Sequence, residues 1–227
     1  MTPQRLHRPF LALVAGILAA FAVVPVLAAG DEARGSDDVI SRIAGAGSVF
    51  DFTKLDSSGK PLENQDAIFT ITPWRCVRDN VTGLMWEVKT IDGGVRDQGN
   101  TYTWYDPDPK TNGGAPGTKA GGDCGGGIDC DTHAYVQAVN KQGLCGYKDW
   151  RMPTRKELRT IVDYQQSFPA IDTSVFPNTV ATSFWTSEPN ETYPNFAWHT
   201  DFKFGLASYY FFKSGKKAVR LVRGGKK

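Results

Sequence analysis

The sequence predicts an α+β domain in which an antiparallel sheet is covered by two helices and stapled by disulfides. Three observations carry this. Residues 196–204 alternate Phe196, Trp198, Thr200, Phe202 and Phe204 with Ala197, His199, Asp201 and Lys203, the period of a strand. Two other stretches carry helix start signals, Asp131 with a Gly143 stop and Thr154 with Glu157 three residues on. Four cysteines sit in a chain that opens with an export-type leader.

Taken in order, residues 1–28 read as a signal peptide: Arg5, His7 and Arg8 form the basic start, Leu11 to Val24 the apolar run, and Val26-Leu27-Ala28 the cleavage site. The run is about 14 residues, short for a bilayer span. Residues 29–48 are Gly-, Ala- and Asp-rich and read as a flexible lead-in, leaving 49–227 as one domain of ample size for a core. Residues 50–55 predict a short strand and 56–61 a turn. Residues 68–71 and 75–78 are strand candidates separated by Pro73, and 84–88 predict a central strand. From Asp92 to Asp131 the chain is loop-dominated, and a loop that long is functional or disordered in a compact domain.

Asp131 then caps a helix bearing Tyr135, Val136, Ala138 and Val139, which Gly143 ends. Pro153 holds the preceding residue out of helical space, so the second helix starts after Thr154 and buries Leu158, Ile161, Val162 and Gln165. Residues 184–186, 196–204, 209–213 and 218–223 predict hairpin-linked strands.

The cysteines predict two bridges. Cys124 and Cys130 bracket a glycine-rich loop, and Cys130 and Cys145 stand at opposite ends of the predicted first helix. The expected pairs are therefore Cys124–Cys130 and Cys76–Cys145; a zinc site would need closer paired spacing.

Trp150-Arg151-Met152-Pro153-Thr154 with Glu157-Leu158 resembles the signature of the Lcl C-terminal domain family, named after a bacterial collagen-like adhesin. Three further stretches fit that pattern in order: residues 76–80 running into 82–87, Leu144-Cys145-Gly146, and residues 219–223. The shorter Arg151-x-Pro153-Thr154-x-x-Glu157 core also resembles C-type-lectin-like and formylglycine-generating-enzyme-like domains. The first resemblance implies an adhesion module with a polyanionic, for example sulfated, glycan as ligand. The second implies the C-type-lectin-like fold, and as an alternative an enzyme working through a reactive cysteine pair.

The residues themselves offer little catalytic chemistry. His133 falls in a helix first turn and His199 on the polar side of its strand, neither at ligand spacing from a Cys or Asp. Asp163 and Asp172 are surface carboxylates on this reading, and Glu157 is a cap. No nucleophile elbow, P-loop or dinucleotide fingerprint is present. Asp106, Asp108, Asn112, Asp123 and Asp129 supply hard oxygens for calcium but match no EF-hand, since Lys110 stands where a ligand is due.

Charge directs the remaining expectations. Removing the leader takes two arginines and no acid, leaving 24 basic against 24 acidic residues. The balance is uneven, with eight Lys and Arg and no acid after Asp201. That cationic end, with Lys213, Lys216 and Lys217, is one expected ligand surface; the Trp104–Tyr105 loop is the other, and Tyr193, Tyr209 and Tyr210 are further exposed-aromatic candidates. The expectation is an exported, non-catalytic binding module, periplasmic, cell-surface or secreted. Its partner is a glycan or polyanion or another envelope protein, with no nucleic acid and no membrane contact beyond the leader.

Overall fold

A computed structural model describes residues 50–206 and 209–225; the expected leader over 1–28, the lead-in over 29–48 and the last two lysines lie outside them. Among the described residues seven strands and two α-helices form an α+β fold: β1 (Phe52–Leu55), β2 (Cys76–Asp79), β3 (Leu84–Glu87), α1 (Thr132–Gln142), α2 (Arg155–Arg159), β4 (Ser183–Pro189), β5 (Phe196–Asp201), β6 (Tyr209–Phe212) and β7 (Val222–Gly224). Among the described residues no helix is long and apolar enough to cross a membrane.

The strands divide into two antiparallel sheets, where the sequence led us to expect one. The first has the order β1-β2-β3-β7 and the second β4-β5-β6. The last strand is what separates them. Residues 218–223 do not continue the β5–β6 hairpin. Ala218 bonds to Ser183 and Trp185 at the edge of β4, and Leu221 and Val222 then pair with β3. The segment therefore stitches one sheet to the other, and only its end is strand.

Both helix starts follow their local chemistry. The Asp131 carboxylate accepts from the Ala134 amide, and Gly143 closes α1 in the left-handed region at φ 68°, its N–H bonded to the carbonyls of Val139 and Asn140. At α2 the Thr154 hydroxyl accepts from the Glu157 amide, and the Glu157 carboxylate accepts from the Thr154 amide. The helix is shorter than its periodicity implied. It ends at Arg159, so Ile161 and Val162 are buried from a turn beyond it and Gln165 is exposed.

Two other expectations fail. Residues 68–71 form a turn, with the Ile68 carbonyl accepting from Ile71 and Thr72; Ile68 and Ile71 project into solvent while Phe69 alone packs, edge-on against Trp74. The strand expected over 196–204 stops at Asp201, and its sides are reversed over its first four residues, while Thr200 and Phe202 are buried as expected. Ala197 and His199 face inward, and Phe196 and Trp198 face out. The structure joins Cys76 to Cys145 and Cys124 to Cys130, the two pairs expected from spacing, and leaves no free cysteine.

Two apolar clusters form the core. One gathers Trp104, Trp150 and Trp185 around Tyr102 and Tyr135 beneath α1; the other gathers Trp74 and Trp86 with Phe176, Phe184 and Phe202 beneath α2. Five of the six tryptophans are thus consumed by packing, which singles out Trp198.

Candidate functional site

The Trp150–Glu157 motif is a joint. Trp150 is buried, its indole N–H donating to the Leu144 carbonyl at 3.0 Å, and the Asn140 side chain clamps the Trp150 amide and carbonyl at 2.8 Å each. Arg151 grips Glu157 through two nitrogens at 2.8 and 2.6 Å, and its backbone bridges to Val222. Half-burial by itself would raise the Glu157 carboxyl, but Arg151 and the Thr154 amide outweigh it and hold the carboxyl below its ordinary value. The carbonyl of the buried Pro153 accepts from Ser187. One short stretch therefore ties α1, α2, β4 and β7 together.

A second polar assembly was not visible in the sequence. Glu87, Lys89 and Arg220 are all buried. Tyr135 donates its hydroxyl to the Glu87 carboxylate, which also takes the Lys89 ammonium at 3.3 Å and the Leu221 amide at 2.9 Å. Arg220 donates to the Glu87 backbone carbonyl and to the Thr179 hydroxyl, both at 2.6 Å. Burial pulls Lys89 down and Arg220 down to about 10, and pushes Tyr135 well up, with the Glu87 charge adding to the last. Every member is shielded from solvent, so the group holds the core and presents nothing to a ligand.

The expected ligand surfaces are largely dismantled. Trp104 is 2 % exposed and donates to the Thr186 carbonyl at 2.9 Å. Lys213, also 2 % exposed, lies over the Trp104 ring at 4.2 Å and donates to the carbonyls of Asn112 and Ala115 at 2.7 and 2.6 Å. Burial pulls its ammonium down to about 8, with Asp106 partly opposing. Lys216 is exposed but paired with Asp123 at 2.8 Å, half-buried Lys217 covers the Phe211 ring at 4.3 Å, and Arg223 pairs with Asp149 at 2.7 Å. Lys213, Lys216, Lys217, Arg220 and Arg223 are thus folded into the body or paired on it.

The calcium candidates scatter likewise. Asp106 bonds the Asp108 amide and the Thr111 hydroxyl, Asp108 the Lys110 amide, and Asn112 the Gly114 amide, so these three build their own turns. Asp123 and Asp129 pair with Lys216 and Lys119. Asp163 and Asp172 each cap a local turn. Among the described residues no three His, Cys, Asp or Glu side chains gather as a metal set.

His199 is buried against Trp185 and Phe211 rather than on the polar side. Burial, aided by Lys217 and opposed by Asp201, pulls its imidazole down to about 4.

What remains exposed is aromatic. On the outer face of the second sheet, cross-strand pairing sets Phe196 opposite Phe212 and Trp198 opposite Tyr210, with ring centroids 4.1 and 5.4 Å apart. Tyr193, from the turn before β5, meets both Phe196 and Tyr210 at 5.9 and 5.8 Å. Tyr193, Tyr210 and Phe212 are 51, 44 and 53 % exposed. Arg155 covers the Trp198 ring at 4.0 Å and pairs with Glu188 at 3.3 Å, which gives the face a polar rim. Contiguous exposed rings of this kind mark a binding surface more often than an idle one. Tyr193 and Tyr210 were legible as aromatic candidates; Phe196, Trp198 and Phe212 were not, because bulky rings alternating in a strand read as its buried side.

Tyr105 has a different setting. It is half-buried at a cleft of about 260 Å³ beside the first turn of α1, with Pro107, Lys119, Asp129, His133 and Gln137.

The Lcl C-terminal domain family model matches residues 75–223, and the chain belongs to that family. No curated protein and no solved structure matches the chain. The α+β architecture therefore rests on the strands and helices themselves, and the C-type-lectin likeness gains no support.

Proposed function

We propose that the chain is an exported, non-catalytic binding module of the adhesion type, and that it takes an uncharged carbohydrate chain on the aromatic face of β5 and β6. The half-exposed row of Tyr193, Tyr210 and Phe212 over Phe196 and Trp198 carries the reading. Flat rings stack on the C–H faces of sugar rings, while rim groups such as Arg155, Glu188 and the exposed Asn195 supply hydrogen bonds. Membership of a family named after an adhesin supports the class, and two disulfides suit an oxidising compartment. The polyanion version is the weaker one, because Lys213 is buried, Lys216 is paired with Asp123 and Lys217 is half-buried over the Phe211 ring. Both disulfides act as staples on this reading, which is why the binding module is preferred to the cysteine-dependent enzyme alternative.

Pull-down on insoluble neutral polysaccharides and on heparin-agarose, at low and high salt, tests the proposal. Binding to a neutral chain should change less than about twofold with salt, since it releases few counterions, and Tyr210→Ala with Phe212→Ala should weaken it by about tenfold or more. Retention on heparin alone, eluted by salt and indifferent to the double substitution, would overturn it.

A further inference from the structure

From the Tyr105 cleft we infer a second binding site, separate from the aromatic face, that holds a single uncharged sugar ring. Its size suits a small ligand: about 260 Å³ lies just below the roughly 300–1,000 Å³ of sites for drug-sized molecules, and one sugar ring is of that scale.

The walls are fixed by three segments. Thr132 exchanges hydrogen bonds with Tyr105, its hydroxyl accepting from the Tyr105 amide and donating to the Tyr105 carbonyl at 2.9 Å each. Asp131 accepts from the Ala134 amide at 2.8 Å and from the Ala120 amide at 3.0 Å, binding the 117–122 loop to the start of α1. The Cys124–Cys130 bridge closes the loop that delivers Asp129. A site so braced is formed before the ligand arrives, which removes an ordering cost from binding.

The lining then selects the chemistry. Tyr105 and Pro107 offer an apolar flank, with the Tyr105 and His133 rings edge to face at 6.1 Å. Lys119 and Asp129 lie 3.5 Å apart with 64 and 51 % of their side chains exposed. They set a donor and an acceptor side by side, loosely held, as neighbouring ring hydroxyls require. The Gln137 amide, 2.9 Å from the His133 ring nitrogen, adds a second polar pair.

The charge is equally selective. Asp129 and Lys119 offset each other at 3.5 Å, and Asp131 is taken up by the Ala134 and Ala120 amides, so the lining offers no unpaired ammonium to an anion. The N-terminus of α1, which would otherwise attract an anion, is already capped by Asp131. Sulfated and carboxylated sugars are therefore disfavoured, and a neutral polyol ring is what fits.

The test is an amide NMR titration of the intact disulfide-bonded protein with methyl glycosides of glucose, galactose, mannose and N-acetylglucosamine, and with glucuronate. At least one neutral glycoside should give saturable shifts centred on residues 105, 119, 129, 133 and 137, with affinity on the order of 1–10 mM. Lys119→Ala with Gln137→Ala should weaken it by about tenfold at an unchanged thermal midpoint, since both side chains are surface groups. Tyr210→Ala with Phe212→Ala should leave it intact, so the fate of this site is readable whether or not the aromatic face binds polysaccharide. Absence of saturable shifts for the whole panel, shifts centred on β5 and β6, or tighter binding of glucuronate would each overturn the inference.

Discussion

The two sheets are made of the same material and put it to opposite uses. In the four-stranded sheet every residue of β3 is buried, and Trp86, Val77 and Val222 pack into the core beside Phe176 and Leu158. In the three-stranded sheet the inward residues Trp185, Ala197 and His199 are covered, while the outward ones, Tyr210 and Phe212, stay about half exposed. The first sheet spends its aromatic area on stability. The second divides it, burying Phe184 and Trp185 of β4 and leaving on β5 and β6 a surface with no cover among the described residues. Burial of apolar area contributes about 25 cal/mol per Å², so a ring left half in water forgoes much of that gain, and a fold built only for stability would not leave a contiguous row of them.

On that division the largest effect should come from the buried charge at the end of β3 in the first sheet. Glu87→Ala leaves the Lys89 ammonium in a dry interior with only the Tyr135 hydroxyl as acceptor and no counter-charge, so it should destabilise by about 3–5 kcal/mol, measured by urea denaturation. A loss below about 1 kcal/mol would mean that water reaches these groups and that the sheet is less closed than described.

A smaller effect, and one that depends on pH, should come from the inner face of the second sheet. The folded state holds His199 at about 4 against an ordinary value of 6.5. Between those values the unfolded chain binds the proton more readily. The stability in question is therefore fully present above pH 6.5 and lost as pH falls toward 4, by up to about 3 kcal/mol. Comparison of thermal midpoints at pH 7.5 and 4.5 should show His199→Gln losing less than the parent. Equal losses would place His199 in contact with solvent.

How much of this could be read in advance tracks sequence distance. Asp131 and Gly143 each act on their own end of α1, and Thr154 with Glu157 and Cys124 with Cys130 act within a few residues of one another, so their chemistry was legible. Cys76–Cys145, 69 residues apart, was legible only by elimination. Apart from the turn over 68–71 and the short α2, which are local, the misreadings that bear on the site were long-range. A cationic tail gives no sign that Lys213 will reach the carbonyls of Asn112 and Ala115 about a hundred residues earlier, or that Arg220 will meet the Glu87 carbonyl. Residues 196–204 have a true strand period over their first part, but period alone does not say which side faces in. The assumption that the aromatic side must be inside failed at Phe196 and Trp198, the same residues that frame the candidate surface. The Tyr105 cleft was half legible: Tyr105 and Asp129 were candidates for separate reasons, and only the fold brings them together with Lys119 and Gln137.

The smallest expected effect is the one that bears most on function. Tyr210→Ser with Phe212→Ser removes the two exposed rings of β6 from Phe196 and Trp198. Both rings are about half in water already, and no core residue rests on them, so the pair should cost less than about 1 kcal/mol. Calorimetry should then find nearly the parent's thermal midpoint, while retention on a neutral polysaccharide falls. A large drop in midpoint would mean that the face is packing surface after all. An unchanged midpoint together with unchanged retention would leave the rings exposed for another purpose, and self-association measured by sedimentation would be the next place to look, since β6 is an edge strand whose Tyr210 N–H and C=O point away from β5. A stable fold with retention lost separates the two sheets as proposed: one carries the stability, and the other carries the contact.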